Sequence, residues 1–170
     1  MHSPPNLQGL VFKGNKRVGC KIYSRLIFNR PGRKVLSRGA FLWSNKCLAE
    51  SFDPSADIKL KKWEIALTPE HFIRLRKTYQ HGKQEYYSLH LNRLDSVNYL
   101  GTSDGGQLRF KAIADDIIVQ TYDDPKGNID SMATVLDIPV KSMSPERVDS
   151  LNEAIKYLRS KDITAHLPGR

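Results

Sequence analysis

Apolar and polar positions alternate with a period of two along much of this chain, the pattern of strands with one buried face. In residues 59–67, Trp63, Ile65 and Leu67 point one way and Lys62, Glu64 and Ala66 the other. Residues 85–92 set Tyr87, Leu89 and Leu91 against Tyr86, Ser88, His90 and Asn92. Residues 107–112 set Leu108, Phe110 and Ala112 against Arg109 and Lys111. Residues 117–122 are rich in β-branched side chains, and residues 132–140 form a last strand that Pro139 assigns to an edge or its neighbourhood. Nearer the start, Ile22, Ser24, Leu26 and Phe28 alternate with Lys21, Tyr23, Arg25 and Ile27. Asn29-Arg30-Pro31-Gly32 then reads as a turn into a second strand over residues 33–43, interrupted at Ser37-Arg38-Gly39.

Two stretches switch from period two to helical spacing, each behind the same triplet. Thr68-Pro69-Glu70 precedes the stripe Phe72, Leu75 and Tyr79, and Ser144-Pro145-Glu146 precedes Val148, Leu151, Ile155 and Leu158. A hydroxyl that accepts from a first-turn amide, a Pro whose missing N–H costs nothing there, and a Glu near the positive helix end form a helix start with a mechanism. Strands closing on a helix, performed twice, predict an α+β fold of mainly antiparallel sheet, with (β4α)2 pseudo-duplication as the specific arrangement. Residues 1–10, with Pro4, Pro5 and Gly9, read as an arm, residues 11–160 as one domain and residues 161–170 as a loose tail.

A chain of 170 residues is long enough for one sizeable core, and 39% hydrophobic residues place it in the globular class. No run of eighteen apolar residues occurs, so no membrane-spanning helix or membrane partner is expected. The opening residues lack the charged-then-apolar order of a secretory signal. Cys20 and Cys47 make no disulfide framework and no metal-binding spacing. The net charge of +9 changes the picture more, because of where it sits. Residues 1–50 hold ten Lys and Arg against one acid, whereas residues 101–170 hold nine against eleven. A field of one sign concentrated at one end suits a polyanion or an acidic partner.

The residue chemistry points away from catalysis. Gly101-Thr102-Ser103-Asp104-Gly105-Gly106 lacks the Lys-Ser/Thr of a phosphate loop and the dinucleotide fingerprint, and reads as a turn. The five histidines form no metal-ligating pair. Asp115, Asp116, Asp123 and Asp124 support a metal-dependent nuclease as one alternative, against a simpler reading as solvated loop ends. No catalytic residue, metal or cofactor is assigned, and the chain is expected to be non-enzymatic. Basic residues interleaved with rings favour a single-stranded polyanion, since phosphates need positive charge and splayed bases need ring faces. The assigned nucleic-acid-binding residues are Lys13, Lys16, Lys21, Arg25, Arg33, Lys34 and Arg38 for phosphates, with Tyr23 and Tyr86 for stacking. A scaffold subunit that binds an acidic protein surface is the other alternative.

Val11-Phe12-Lys13-Gly14-Asn15-Lys16 resembles the strand-borne Lys-Gly-Lys-Ala element of the Whirly family and its kinetoplastid mitochondrial RNA-binding relatives, with Asn15 displacing the second Lys and Arg17 replacing the Ala. Residues 32–42 resemble the succeeding strand, residues 62–75 the strand and first helix, and Ile138-Pro139-Val140 with the last helix the end of that domain. The Trp-containing end of the plant members is absent. The resemblance implies two four-stranded sheets, a homo- or hetero-tetramer, and ssDNA or RNA held across the sheet edges. It further implies residence in a mitochondrion or other organelle, and a role in RNA processing that includes annealing.

Overall fold

The computed structural model describes residues 33–165, with side chains over residues 38–161. Along this span a helix, α1 (Arg33–Ser51), precedes eight strands, and a second helix, α2 (Pro145–Ala165), follows them. The strands are β1 (Leu60–Leu67), β2 (Phe72–Tyr79), β3 (Gln84–His90), β4 (Leu94–Gly101), β5 (Gly105–Ala112), β6 (Ile117–Tyr122), β7 (Asp130–Ala133) and β8 (Val135–Lys141). They form two open antiparallel sheets, ordered β1-β2-β3-β6-β7 and β4-β5-β8. The architecture is α+β, with two antiparallel sheets and two helices.

Two local expectations are overturned. Residues 33–43, expected as a strand, lie in α1, which runs on to Ser51. Its buried positions are Ala40, Ser44, Cys47, Leu48 and Ser51, spaced three or four apart, and the small members let the helix approach the core closely. Residues 71–79, expected as a helix, are β2 and the turn before it. The Thr68 amide donates to the Phe72 carbonyl at 2.7 Å and the His71 amide to the Thr68 carbonyl at 2.9 Å, closing a hairpin with His71 at φ 62°. The central residues of a type I turn have helix-like dihedrals, so Thr-Pro-Glu suits a turn as well as a helix start. The second triplet does begin a helix. The Ser144 carbonyl accepts from the amides of Arg147 and Val148, Pro145 opens α2, and α2 runs on to Ala165. The described residues therefore follow the order helix, eight strands, helix, and the first of the two expected strand-to-helix endings is absent from them.

The faces of β1, β3 and β5 follow the alternation of the sequence. Ile65, Leu67, Leu89, Leu108, Phe110 and Ala112 are all buried. They join Val148, Leu151, Ala154, Ile155 and Leu158 of α2 and Ala40 and Leu48 of α1 in one cluster between the sheets and helices. β4 is not among the strands expected from the sequence; its pairing shifts between Leu94 and Ser96, a bulge at the start of the strand. Pro139 lies in β8, at one edge of the three-stranded sheet, and its carbonyl accepts from the Asp53 amide at 2.9 Å.

The helices are tied to the sheets by side chains that bond to backbone. Asn45 acts as a missing strand for the free edge of β1: its Oδ1 accepts from the Leu67 amide at 2.7 Å, and its Nδ2 donates to the Leu67 carbonyl at 2.9 Å. Arg159 of α2 donates through Nη1 to the Leu94 carbonyl at 2.7 Å. Arg147 joins the two helices, through Nη2 to Glu50 at 3.0 Å and Nε to the Cys47 sulfur at 3.2 Å. None of the described helices is long and apolar enough to cross a membrane.

Removing the Asn45 amide strands two half-buried backbone groups at once. Asn45→Ala is expected to cost about 1–3 kcal/mol of unfolding free energy, read as a lower urea midpoint at unchanged slope. Asn45→Asp, which keeps only the acceptor and sets a carboxylate against the Leu67 carbonyl, should be no better.

Candidate nucleic-acid interface

The five-stranded sheet buries one face and presents the other. On β2 the inward residues are Ile73, Leu75 and Lys77, so Phe72, Arg74, Arg76 and Thr78 project outward. Pairing aligns Arg74 with Ala66 and Ser88, and Arg76 with Glu64 and Tyr86. Tyr86 in turn faces Gln120, and Gln120 faces Asp130. One row across the outer face is therefore Glu64, Arg76, Tyr86, Gln120 and Asp130, and the next is Ala66, Arg74, Ser88, Ile118 and Met132. Apart from Ser88, these side chains are exposed or half-buried. Lys62 stands beside Thr78, and with Trp63, Glu64, Arg76 and Gln84 these residues line a shallow depression of about 210 Å³.

On this face Phe72 is held beside a cation. The Arg74 guanidinium lies 5.2 Å from the centre of the Phe72 ring, and Phe72 meets His90 edge-on with centroids 4.6 Å apart. His90 Nδ1 accepts from the Asn92 amide at 3.2 Å, which fixes the imidazole. Arg76 Nη2 donates to Gln84 Oε1 at 2.7 Å, orienting its guanidinium over the sheet. None of Lys62, Arg74 and Arg76 takes part in an ion pair among the described residues. The turn-proximal residues Lys59 and Lys61 are exposed and extend the positive charge past the start of β1.

The inner side of the same strands carries a polar cluster that anchors them. Lys77, only 7% exposed, pairs with Asp57 at 2.7 Å. Glu85 accepts from the hydroxyls of Tyr79 at 3.0 Å and Tyr87 at 3.1 Å, and pairs with Lys83 at 3.1 Å. Lys83 also reaches Asp124 at 2.9 Å, linking the β2–β3 hairpin to the loop after β6. Burial alone would raise the Glu85 carboxyl, but the bonds from Lys83 and Tyr79 and the Lys83 charge outweigh it and hold it below the ordinary glutamate value. Burial and the bonded carboxylate push the Tyr79 phenol well above its usual range, and burial and the carboxylate charge do the same to Tyr87.

Of the residues assigned from sequence, Lys13, Lys16, Lys21, Tyr23 and Arg25 lie outside the described residues. Arg33 and Lys34 fall in the first turn of α1 rather than in a strand, and Arg38 is exposed further along that helix. Tyr86 stands on the outer face of β3, separate from α1 in the fold. A helical reading of residues 71–79 hides Arg74 and Arg76 as partners of Tyr86. The alternation of Ile73, Leu75 and Lys77 with Arg74 and Arg76 is the signal that could have found them.

Three of the four acids in the two pairs are engaged as loop-end groups. Asp116 pairs with Arg93 at 2.9 Å, Asp124 pairs with Lys83, and Asp115 accepts from the Thr134 hydroxyl. Among the described residues no group of three His, Cys, Asp or Glu side chains is placed to hold a metal ion. The glycine-rich stretch is the β4–β5 hairpin. At Gly106 a Cβ would collide with the Leu100 carbonyl and come within 2.8 Å of the Gly101 Cα, so the glycines serve backbone approach. Compared with protein-family models, curated proteins and solved structures, the chain has no significant match.

Because the Glu85 carboxyl is depressed in the folded state, its stabilising contribution is present above the unfolded value of about 4.3 and is lost as pH falls through the lower folded value. Thermal unfolding followed between about pH 6 and pH 3 should show the midpoint falling at the acid end. Glu85→Gln should lower the midpoint at neutral pH and flatten that dependence.

Proposed function

We propose that this chain binds single-stranded nucleic acid, RNA ahead of any duplex, over the outer face of the five-stranded sheet. The observation that carries the reading is the row in which Tyr86 lies beside Arg76 and Gln120, with Arg74, Lys62 and the Phe72–His90 ring pair on the same face. Unpaired bases offer two open π-faces that a duplex hides, and a ring on an open sheet stacks against them while neighbouring guanidinium groups meet the phosphates. Thr78, Gln84 and Gln120 stand among the rings as polar partners for base edges and 2′-hydroxyls. The excess positive charge of residues 1–50 adds long-range attraction without base discrimination.

The mechanism is passive: phosphate repulsion is screened while bases are held apart on the sheet. Such a surface lowers the barrier for a bound strand to meet its complement, which is how annealing would be promoted. Acidic protein surfaces offer charge but no base to stack, so the rings separate the two kinds of partner.

Titration of the full chain against matched single- and double-stranded RNA and DNA, at several salt concentrations, tests the proposal. The single strand is expected to bind more tightly, with affinity falling steeply as salt rises. Tyr86→Ala should cost about 1–3 kcal/mol of binding with little change in salt slope. Arg76→Ala should reduce the slope, by about 0.7 for each phosphate that its guanidinium neutralises. Equal affinity for all four polymers, or for an acidic protein, would overturn the assignment.

A further inference from the structure

Resting on that reading, we infer that the bound strand runs parallel to β2 and β3 and is gripped in a frame of about three nucleotides, its two end bases on separate ring platforms. The first platform is Tyr86, between Arg76 and Gln120. The second is the Phe72–His90 pair, with the Arg74 guanidinium over Phe72. Tyr86 and His90 both project from the outer face of β3, four residues apart, which at about 3.4 Å per residue separates the platforms by about 13–14 Å.

That separation decides the register. Neighbouring bases in a continuous stack lie about 3.4 Å apart, so two adjacent stacked bases cannot occupy both platforms. The strand has to be extended, with an intervening nucleotide lying over Ser88, the small and buried residue between the two rings on β3. On the neighbouring strand Arg74 stands opposite this gap and Arg76 opposite Tyr86, two residues apart, so their spacing along the sheet is about half that of the platforms. Two guanidinium groups then serve the two phosphates that join three nucleotides.

Acids exclude the other course. A backbone crossing the strands through the Tyr86 row would meet Glu64 of β1 at one end and Asp130 of β7 at the other. Both carboxylates repel phosphate, whereas on the outer face of β2 and β3 themselves the charged side chains are Arg74 and Arg76. The face therefore confines the polyanion lengthwise.

Fluorescence titrations with oligouridylates of two, three, four, six and ten nucleotides, using the full chain, test the frame. At salt high enough to screen the field of residues 1–50, affinity should rise about tenfold between two and three nucleotides, as the second platform is engaged, and beyond three only in proportion to the number of overlapping registers. Phe72→Leu keeps the apolar contact and removes the ring. It should lower trinucleotide affinity about tenfold and dinucleotide affinity by less than about twofold, with Tyr86 available to the shorter ligand. An unchanged thermal midpoint shows that the variant is folded, and His90→Gln provides a second removal of the same platform. A smooth rise with length, or equal losses for both oligomers, with single-strand preference intact, would overturn the frame alone. Absence of single-strand preference at every length would overturn the underlying function as well.

Discussion

A slip of β2 by one residue against β1 and β3 would carry Ile73 and Leu75 into water and drive Arg74 and Arg76 into the apolar interior. Ile73 and Leu75 are fully buried, and each such side chain contributes about 1.5–3 kcal/mol through its burial. An unpaired guanidinium in their place would add a desolvation cost of several kcal/mol more. The register of this central strand is thereby held from both sides. What holds it also fixes which side chains face solvent, since successive residues alternate between the two faces.

The inner polar cluster makes the same choice at the other end of the strand. Lys77 occupies an inward position that an apolar side chain would ordinarily fill, and its burial is tolerated because Asp57 lies 2.7 Å away. Replacing both by apolar residues would be nearly neutral for stability, whereas removing Asp57 alone would leave a buried ammonium uncompensated. Glu85, Tyr79, Tyr87 and Lys83 extend the network to Asp124, so the hairpin and the loop after β6 are fixed together. The outer face is presented by strands whose undersides are locked by charge at one end and by packing at the other.

Antiparallel strands with one buried face leave a period of two that can be read directly, and β1, β3 and β5 are legible for that reason, whereas β6 shows through its β-branched residues. α2 is legible because its cap and its apolar stripe agree. The failures come where local signals serve two structures. Thr68-Pro69-Glu70 satisfies a helix start and a turn equally, and only the eight residues of β2 decide. In α1 the helical period rests on Ala40, Ser44 and Cys47, which are too small to stand out among the larger apolar side chains beside them. Tyr86 can be recognised as outward from its own strand, but Arg74 and Arg76 become its neighbours only through pairing between β2 and β3.

On the proposed reading, attraction and discrimination fall to different parts of this chain. On the outer face Lys62, Arg74 and Arg76 share the surface with Glu64 and Asp130, a balance close to neutral that draws a polyanion only weakly from a distance. The strong field belongs to residues 1–50, where basic residues outnumber acids ten to one. Salt screens the long-range part over about 8 Å at physiological strength and leaves ring stacking nearly untouched. Raising the salt should therefore weaken all polyanions together and increase the relative advantage of an unpaired strand, because the contacts that remain are the ones a duplex cannot make.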